Sequence, residues 1–332
     1  MSFDVPKRVV HGGTGKRYQE KTGNLVLDFS ASVNPFPPRF AWHWDPDLFA
    51  QYPDNEYACL KERIAQVYGR RPEEICVGNG SIELIRIFCS VILDRHKTFF
   101  LQEPTFGEYE MSARLTGASR SAIRETADLT FVCNPNNPTG TLHRKSGISA
   151  MLDQVASHDG MLFCDEAFID LCDPEESMAD TRHPRLFVLH SLTKSFSVPG
   201  IRFGYGFGSP DLIDKIETVR PPWSVNAVAE SFAMEALLHR KDLAVSRDLI
   251  AKERQWLENE ITCCGLSPCP SSTNFILLDC RRAAGPLVSA LAAEGILVRD
   301  CTSFGLPDHI RISIRTRDEN RRFVEALQRC VR

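Results

Sequence analysis

No stretch of this sequence is apolar for long enough to span a bilayer, so no membrane partner is expected. A basic excess is missing as well. Lys and Arg number 39 against 43 Asp and Glu, a net charge of −4. A nucleic-acid footprint ordinarily shows the opposite balance, so no nucleic-acid partner is expected either. Residues 1–17 are polar and mixed in charge, which is not the pattern of a secretory signal. The twelve cysteines contain no Cys-x-x-Cys pair. Cys76, Cys89, Cys133, Cys164 and Cys280 stand inside apolar runs, where a free cysteine behaves as a small buried hydrophobe. The expectation is buried reduced thiols in a reducing cytoplasm, with no metal site and no disulfide framework. Internal repeats and low-complexity segments are absent.

What is present is an ordinary globular balance, 43% hydrophobic and 25% charged. At 332 residues the chain is long for a single core, which predicts a large domain with a smaller companion. Short apolar runs at 74–78, 98–101, 129–133, 161–164 and 186–189 read as buried strands. Helical patterns at 82–93, 108–116 and 147–157 alternate with them. The alternation predicts an α/β fold, a mainly parallel sheet with helices on both faces. Residues 226–261 read as one long helix, with Phe232, Leu237, Leu238 and Leu249 on its apolar side. Weaker strands follow at 275–278 and 310–314, with closing helices at 287–294 and 318–330.

In open α/β sheets ligands sit beyond the carboxyl ends of the strands. Four polar groups fall just past such ends here: 79–81, 134–140, Asp165 and 191–194. Lys194 alone would be an ordinary surface lysine. It is flanked by Ser191 and Thr193, and Arg202 follows a Pro-Gly turn. Hydroxyls with a guanidinium suit a phosphate monoester, which leaves the amine free for covalent work with an aldehyde. Asp165 could cap a turn, or could hold a cofactor's ring nitrogen protonated. The run NPNNPTG at 134–140 could be only a turn, or Asn137 could present its amide to a ligand. Gly80 and Ser81 open a helix, where backbone amides bind phosphate. Phe106 could be core, or could stack on a ring.

The segments NPNNPTG at 134–140, DEA at 165–167 and SLTKSFSVPGIRFGY at 191–205 resemble the fold-type I pyridoxal enzymes, and within them the histidinol-phosphate aminotransferase branch. HGG at 11–13, DFSASVNP at 28–35, PWSVN at 222–226, DEAFID at 165–170 and RISIR at 311–315 resemble the threonine-phosphate decarboxylases of that branch. The resemblance implies an aspartate aminotransferase-like fold, with a large domain over 36–225 and a small α+β domain from 1–35 and 226–332. The implied cofactor is pyridoxal 5′-phosphate, held covalently by Lys194. Asp165 would pair with its ring nitrogen, Asn137 with its phenolic oxygen and Phe106 with its face. Ser191, Thr193, Arg202, Gly80 and Ser81 would hold its phosphate. Tyr52 would reach the cofactor phosphate of a partner subunit, making the active unit a homodimer.

By the same resemblance, Arg299 and Arg311 would bind the anionic ends of a small phosphorylated amino acid, assisted by His11 and Asn34. The implied reaction is decarboxylation of L-threonine O-3-phosphate to (R)-1-amino-2-propanol O-phosphate, a step of cobalamin synthesis. The alternative is a histidinol-phosphate aminotransferase. One departure from the aminotransferases of the branch is Phe168, which stands where they generally carry Tyr.

Overall fold

The computed structural model describes residues 6–43 and 45–331. Its main sheet has seven strands: β1 (Ile75–Gly78), β2 (Thr98–Leu101), β3 (Ser119–Arg120), β4 (Leu129–Cys133), β5 (Met161–Asp165), β6 (Leu186–Ser191) and β7 (Gly204–Phe207). Their order is β1-β7-β6-β5-β4-β2-β3. All pairings are parallel except those of β7, which runs antiparallel to β6 and to β1. Every residue of β4, β5 and β6 is buried, as a sheet covered on both faces requires.

The sequence pattern does not predict β7. Gly204 and Gly206 dilute its apolar signal, and each is there for close approach. A Cβ on Gly206 would lie 2.3 Å from the Phe187 ring, and one on Gly204 would lie 2.6 Å from the Ser81 amide nitrogen.

The C-terminal third builds a second, four-stranded antiparallel sheet from Ser267–Pro268, Phe275–Asp279, Arg299–Asp300 and His309–Ser313. The chain start joins this layer, because Leu27–Asp28 pairs in parallel with Ile296–Leu297. Helices Gly285–Ala293 and Arg317–Val331 close it.

One expected element is corrected. The predicted helix over 226–261 is two helices, Ala227–Ala236 and Leu243–Cys263, joined by a 3-10 turn at Leu237–Asp242. The tighter turn rotates the apolar face, so Leu237 is buried while Leu238 is 52% exposed. The turn carries Arg240 onto Asp170 at 2.8 Å and over the Tyr68 ring at 4.5 Å. All twelve cysteines are free thiols. The five in apolar runs are buried, while Cys59 and Cys263 are exposed. No described helix is long and apolar enough to cross a membrane.

Candidate active site

The C-terminal ends of β1, β4, β5 and β6 open on one cavity of about 690 Å³. β1 ends at Gly78, and the chain turns through Gly80, at φ +82°, into the helix Ser81–Ile92. A Cβ on Gly80 would lie 2.3 Å from Arg202 Nη2, so glycine is needed for both the backbone angle and the space. The free amides of the helix start thus lie beside a guanidinium. β6 ends at Ser191, whose hydroxyl caps the short helix Leu192–Ser195 by accepting from the Thr193 amide at 3.3 Å. Ser81, Ser191, Thr193 and Arg202 all line the cavity.

Lys194 is half-buried among them. Its amine has no hydrogen-bond partner among the described residues, and the Phe168 ring lies 5.9 Å away. Burial, then the positive charges of Arg311 and Arg202, pull its pKa from 10.5 down to about 8. The amine is therefore far more available as a nucleophile or base near neutrality than a surface lysine.

Asp165 ends β5, 4% exposed. Its Oδ2 accepts from the Tyr109 hydroxyl at 2.7 Å and its Oδ1 from the Ala167 amide at 2.9 Å. Burial pushes its pKa up, and these two hydrogen bonds act against that. Tyr109 is a site residue that the sequence reading misses. It is fully buried, stacked on Phe131 at 5.1 Å and edge-on to Phe106 at 5.5 Å. A usable signal was its place three residues after Phe106, because a buried tyrosine hydroxyl must find a partner.

The 134–140 loop divides its labour. Asn134 ties itself to the His143 backbone, and Asn136 braces Pro104 and Thr139. Asn137 faces the cavity and accepts from Arg311 Nη1. Arg311 is 6% exposed, donates Nη2 to the Ser30 carbonyl at 3.1 Å and lies 4.9 Å from the Phe275 ring. Its Nε is buried without a partner. Burial, with like-charge repulsion from Arg299, draws its pKa down to about 10. A buried guanidinium facing only neutral oxygens, with donors unspent, is a site prepared for an anion.

The other expected substrate residues are placed differently. Arg299 lines the cavity, but its donors go to the Val10 carbonyl at 2.7 Å, the Asp300 carbonyl at 2.5 Å and the Ser303 hydroxyl at 2.6 Å. Asn34 is absent from the lining. It is buried, with Nδ2 donating to the Ser195 carbonyl at 2.7 Å and Oδ1 accepting from the Phe36 amide at 2.9 Å. Its backbone amide donates to the Lys194 carbonyl, so it braces the lysine turn. His11 lines the cavity mouth. Tyr52 is 79% exposed, rests on Trp223 at 4.6 Å and is outside the cavity of its own chain.

A phosphate cradle at one helix start, a buried carboxylate, an aromatic wall and a half-buried amine with no partner among the described residues fit pyridoxal phosphate group for group. With the mainly parallel sheet, they define a pyridoxal-dependent enzyme of the aspartate aminotransferase-like fold-type I class. The chain belongs to the class I and II aminotransferase family, whose sequence profile matches residues 43–327. It is 33% identical to the histidinol-phosphate aminotransferase of Symbiobacterium thermophilum, covering 83% of this chain and 81% of that one. It is 34% identical to a protein of Caldanaerobacter subterraneus subsp. tengcongensis provisionally named threonine-phosphate decarboxylase, covering 90% and 88%. The histidinol-phosphate aminotransferase of Sinorhizobium meliloti, solved with pyridoxal-5′-phosphate, superposes with a TM-score of 0.86 at 20% identity, over 99% of this chain and 95% of that one. The cofactor is pyridoxal 5′-phosphate.

Proposed function

We propose that this enzyme acts on a small phosphorylated amine or amino acid, which meets the cofactor beside Lys194. The observation that carries this is a cationic group of the cavity other than Arg202. Arg202 faces the helix start at Gly80, while Arg311 stands apart from it with an unspent donor. One cation suits the cofactor phosphate and the other an anion of the substrate.

When bound, pyridoxal phosphate supplies an electron sink for the bond broken at the substrate Cα. Asp165 keeps the ring nitrogen protonated, because an ionised carboxylate can only accept. Ser191, Thr193, Arg202 and the Gly80–Ser81 turn bind the phosphate. Phe106 covers the ring face. Asn137, with its carbonyl oxygen occupied by Arg311, has its amide nitrogen for the phenolic oxygen. Phe168 adds no second donor there. The Lys194 amine holds the cofactor and moves the proton at Cα. Arg311 orients the substrate, and orientation decides which Cα bond breaks.

Transfer of the amino group of histidinol phosphate has the broader support, since it is the activity named for most of the similar proteins. Decarboxylation of L-threonine O-3-phosphate, in cobalamin synthesis, is the second reading. One observation favours it: Phe168 lacks the hydroxyl expected of the aminotransferases of the branch. The test is to supply each compound to the purified enzyme. Ketone formation from histidinol phosphate that requires 2-oxoglutarate supports the first reading. Repeated carbon dioxide release from threonine phosphate without any keto acid supports the second. Failure of both removes the phosphorylated-substrate proposal.

The active unit is proposed to be a cytoplasmic homodimer, with Tyr52 of each chain serving the other's cofactor phosphate. The division into a large domain at 36–225 and a small domain from 1–35 and 226–332 is part of the same proposal.

A further inference from the structure

His11 is the imidazole at the cavity mouth, carried by the segment 9–13 that runs across it. The segment is moored to the C-terminal layer through its backbone. Arg299 Nη2 holds the Val10 carbonyl at 2.7 Å, and the Gly13 amide donates to the Ser30 hydroxyl at 2.8 Å. Gly12 allows this approach, since a Cβ there would lie 2.3 Å from the Ser30 carbonyl oxygen. None of these ties fixes the ring of His11.

The ring is fixed from the other side of the cavity. His11 Nε2 is 2.9 Å from Glu108 Oε1, and Glu108 Oε2 is 2.8 Å from Arg86 Nη2. Glu108 is 5% exposed and opens the helix Glu108–Leu115, where the helix start favours a negative charge. Its carboxyl is held below the usual range, first by the His11 hydrogen bond and then by Arg86 against the effect of burial. An ionised carboxylate only accepts, so Nε2 must carry the hydrogen of that bond. Nδ1 is then the nitrogen with no partner among the described residues. The ring also leans on Phe106, centroids 6.0 Å apart at 55°.

We propose that Glu108, clamped by Arg86, is a positioning residue for substrate selection: it fixes the His11 ring so that Nδ1 is the nitrogen offered to the phosphate of the incoming substrate, to which it donates when the ring carries both hydrogens. This rests on the reading that His11 touches the substrate. Neither Glu108 nor Arg86 touches the reacting atoms. His11 lines the cavity and neither Glu108 nor Arg86 does, so the clamp lies behind the histidine. The arrangement gives Glu108 an effect on substrate capture and none on the chemistry at Cα.

The experiment uses the cofactor-loaded enzyme with whichever phosphorylated substrate it turns over, and inorganic phosphate as a competing probe. Glu108→Ala is expected to raise the KM and the phosphate inhibition constant about tenfold, the scale of one charge-assisted hydrogen bond, with kcat nearly unchanged. Glu108→Gln keeps a neutral acceptor for Nε2 and should recover most of that loss. His11→Ala should match Glu108→Ala, and the double variant should be no worse than either. If His11→Ala raises both constants while Glu108→Ala and Glu108→Gln do not, the positioning role is overturned and His11 stays a substrate ligand. If His11→Ala changes neither constant, the reading of His11 fails and the inference falls with it. Additive losses, or an equal fall in kcat, would give Glu108 a separate role and overturn the proposal.

Discussion

Lys194 and Asp165 are opposite cases of burial acting on charge. Burial pulls the lysine down to about 8 and pushes the aspartate up, so each is biased toward its neutral form. For the lysine this is useful. Between about pH 8 and 10.5 the folded apoprotein holds fewer protons at Lys194 than the unfolded chain. Its contribution to stability therefore rises with pH across that window. Labelling of Lys194 in the apoprotein by an amine-selective reagent, followed by peptide mass spectrometry, should show an inflection near pH 8. An inflection near 10.5 would mean the amine is not desolvated. For the aspartate the bias works against the proposed role, which needs the carboxylate ionised. Tyr109 counters it with the 2.7 Å hydrogen bond. Tyr109→Phe should let the Asp165 pKa climb and weaken cofactor binding by roughly tenfold or more, from about 1.5–3 kcal/mol for a bond to a charged acceptor. The acid limb of cofactor affinity against pH should also move upward. A fluorescence titration with unchanged affinity at every pH would refute the role.

At the level of elements, the sequence displays what is continuous and hides what is interrupted. β4, β5 and β6 are buried throughout, so their apolar runs stand out at nearly the observed bounds. β7 is hidden because its glycines yield space to Phe187 and to the Ser81 amide. The break at Leu237–Asp242 is hidden because its residues, LLHRKD, include no Gly or Pro to mark it. The site divides likewise. Residues at strand ends, such as Asp165 and Lys194, are legible by position. Tyr109, Glu108 and the true partners of Arg299 and Asn34 depend on long-range contacts that no local pattern encodes. Two glycines test this at element scale. Gly204→Ala presses a Cβ onto backbone at 2.6 Å, so β7 and the helix Ser81–Ile92 must part. Melting temperature and cofactor affinity should both fall, the latter about tenfold or more. Gly147, inside Lys145–Ala156 with nothing within 4 Å of an added Cβ, should tolerate the same change and gain up to about 1 kcal/mol in denaturant unfolding.

For the whole molecule, the decisive question is whether one chain makes a complete site. Tyr52 is 79% exposed and Trp223 47%, and the two rings rest on each other 4.6 Å apart. An aromatic pair turned to solvent is the kind of surface a partner covers, and a two-fold interface would present it twice. If Tyr52 serves the partner's cofactor phosphate, the defects of two inactive variants should be complementary. In a hybrid of Lys194→Ala with Tyr52→Ala, the chain that keeps Lys194 receives Tyr52 from the other, so one of its two sites is whole. Random reassortment makes half of the dimers hybrid, so mixing should restore about a quarter of the wild-type activity from two weak parents. Analytical ultracentrifugation at the assay concentration would establish the dimer independently. Activity that never exceeds the mean of the parents would place Tyr52 outside the partner's site, and an active monomer would remove it from the mechanism altogether.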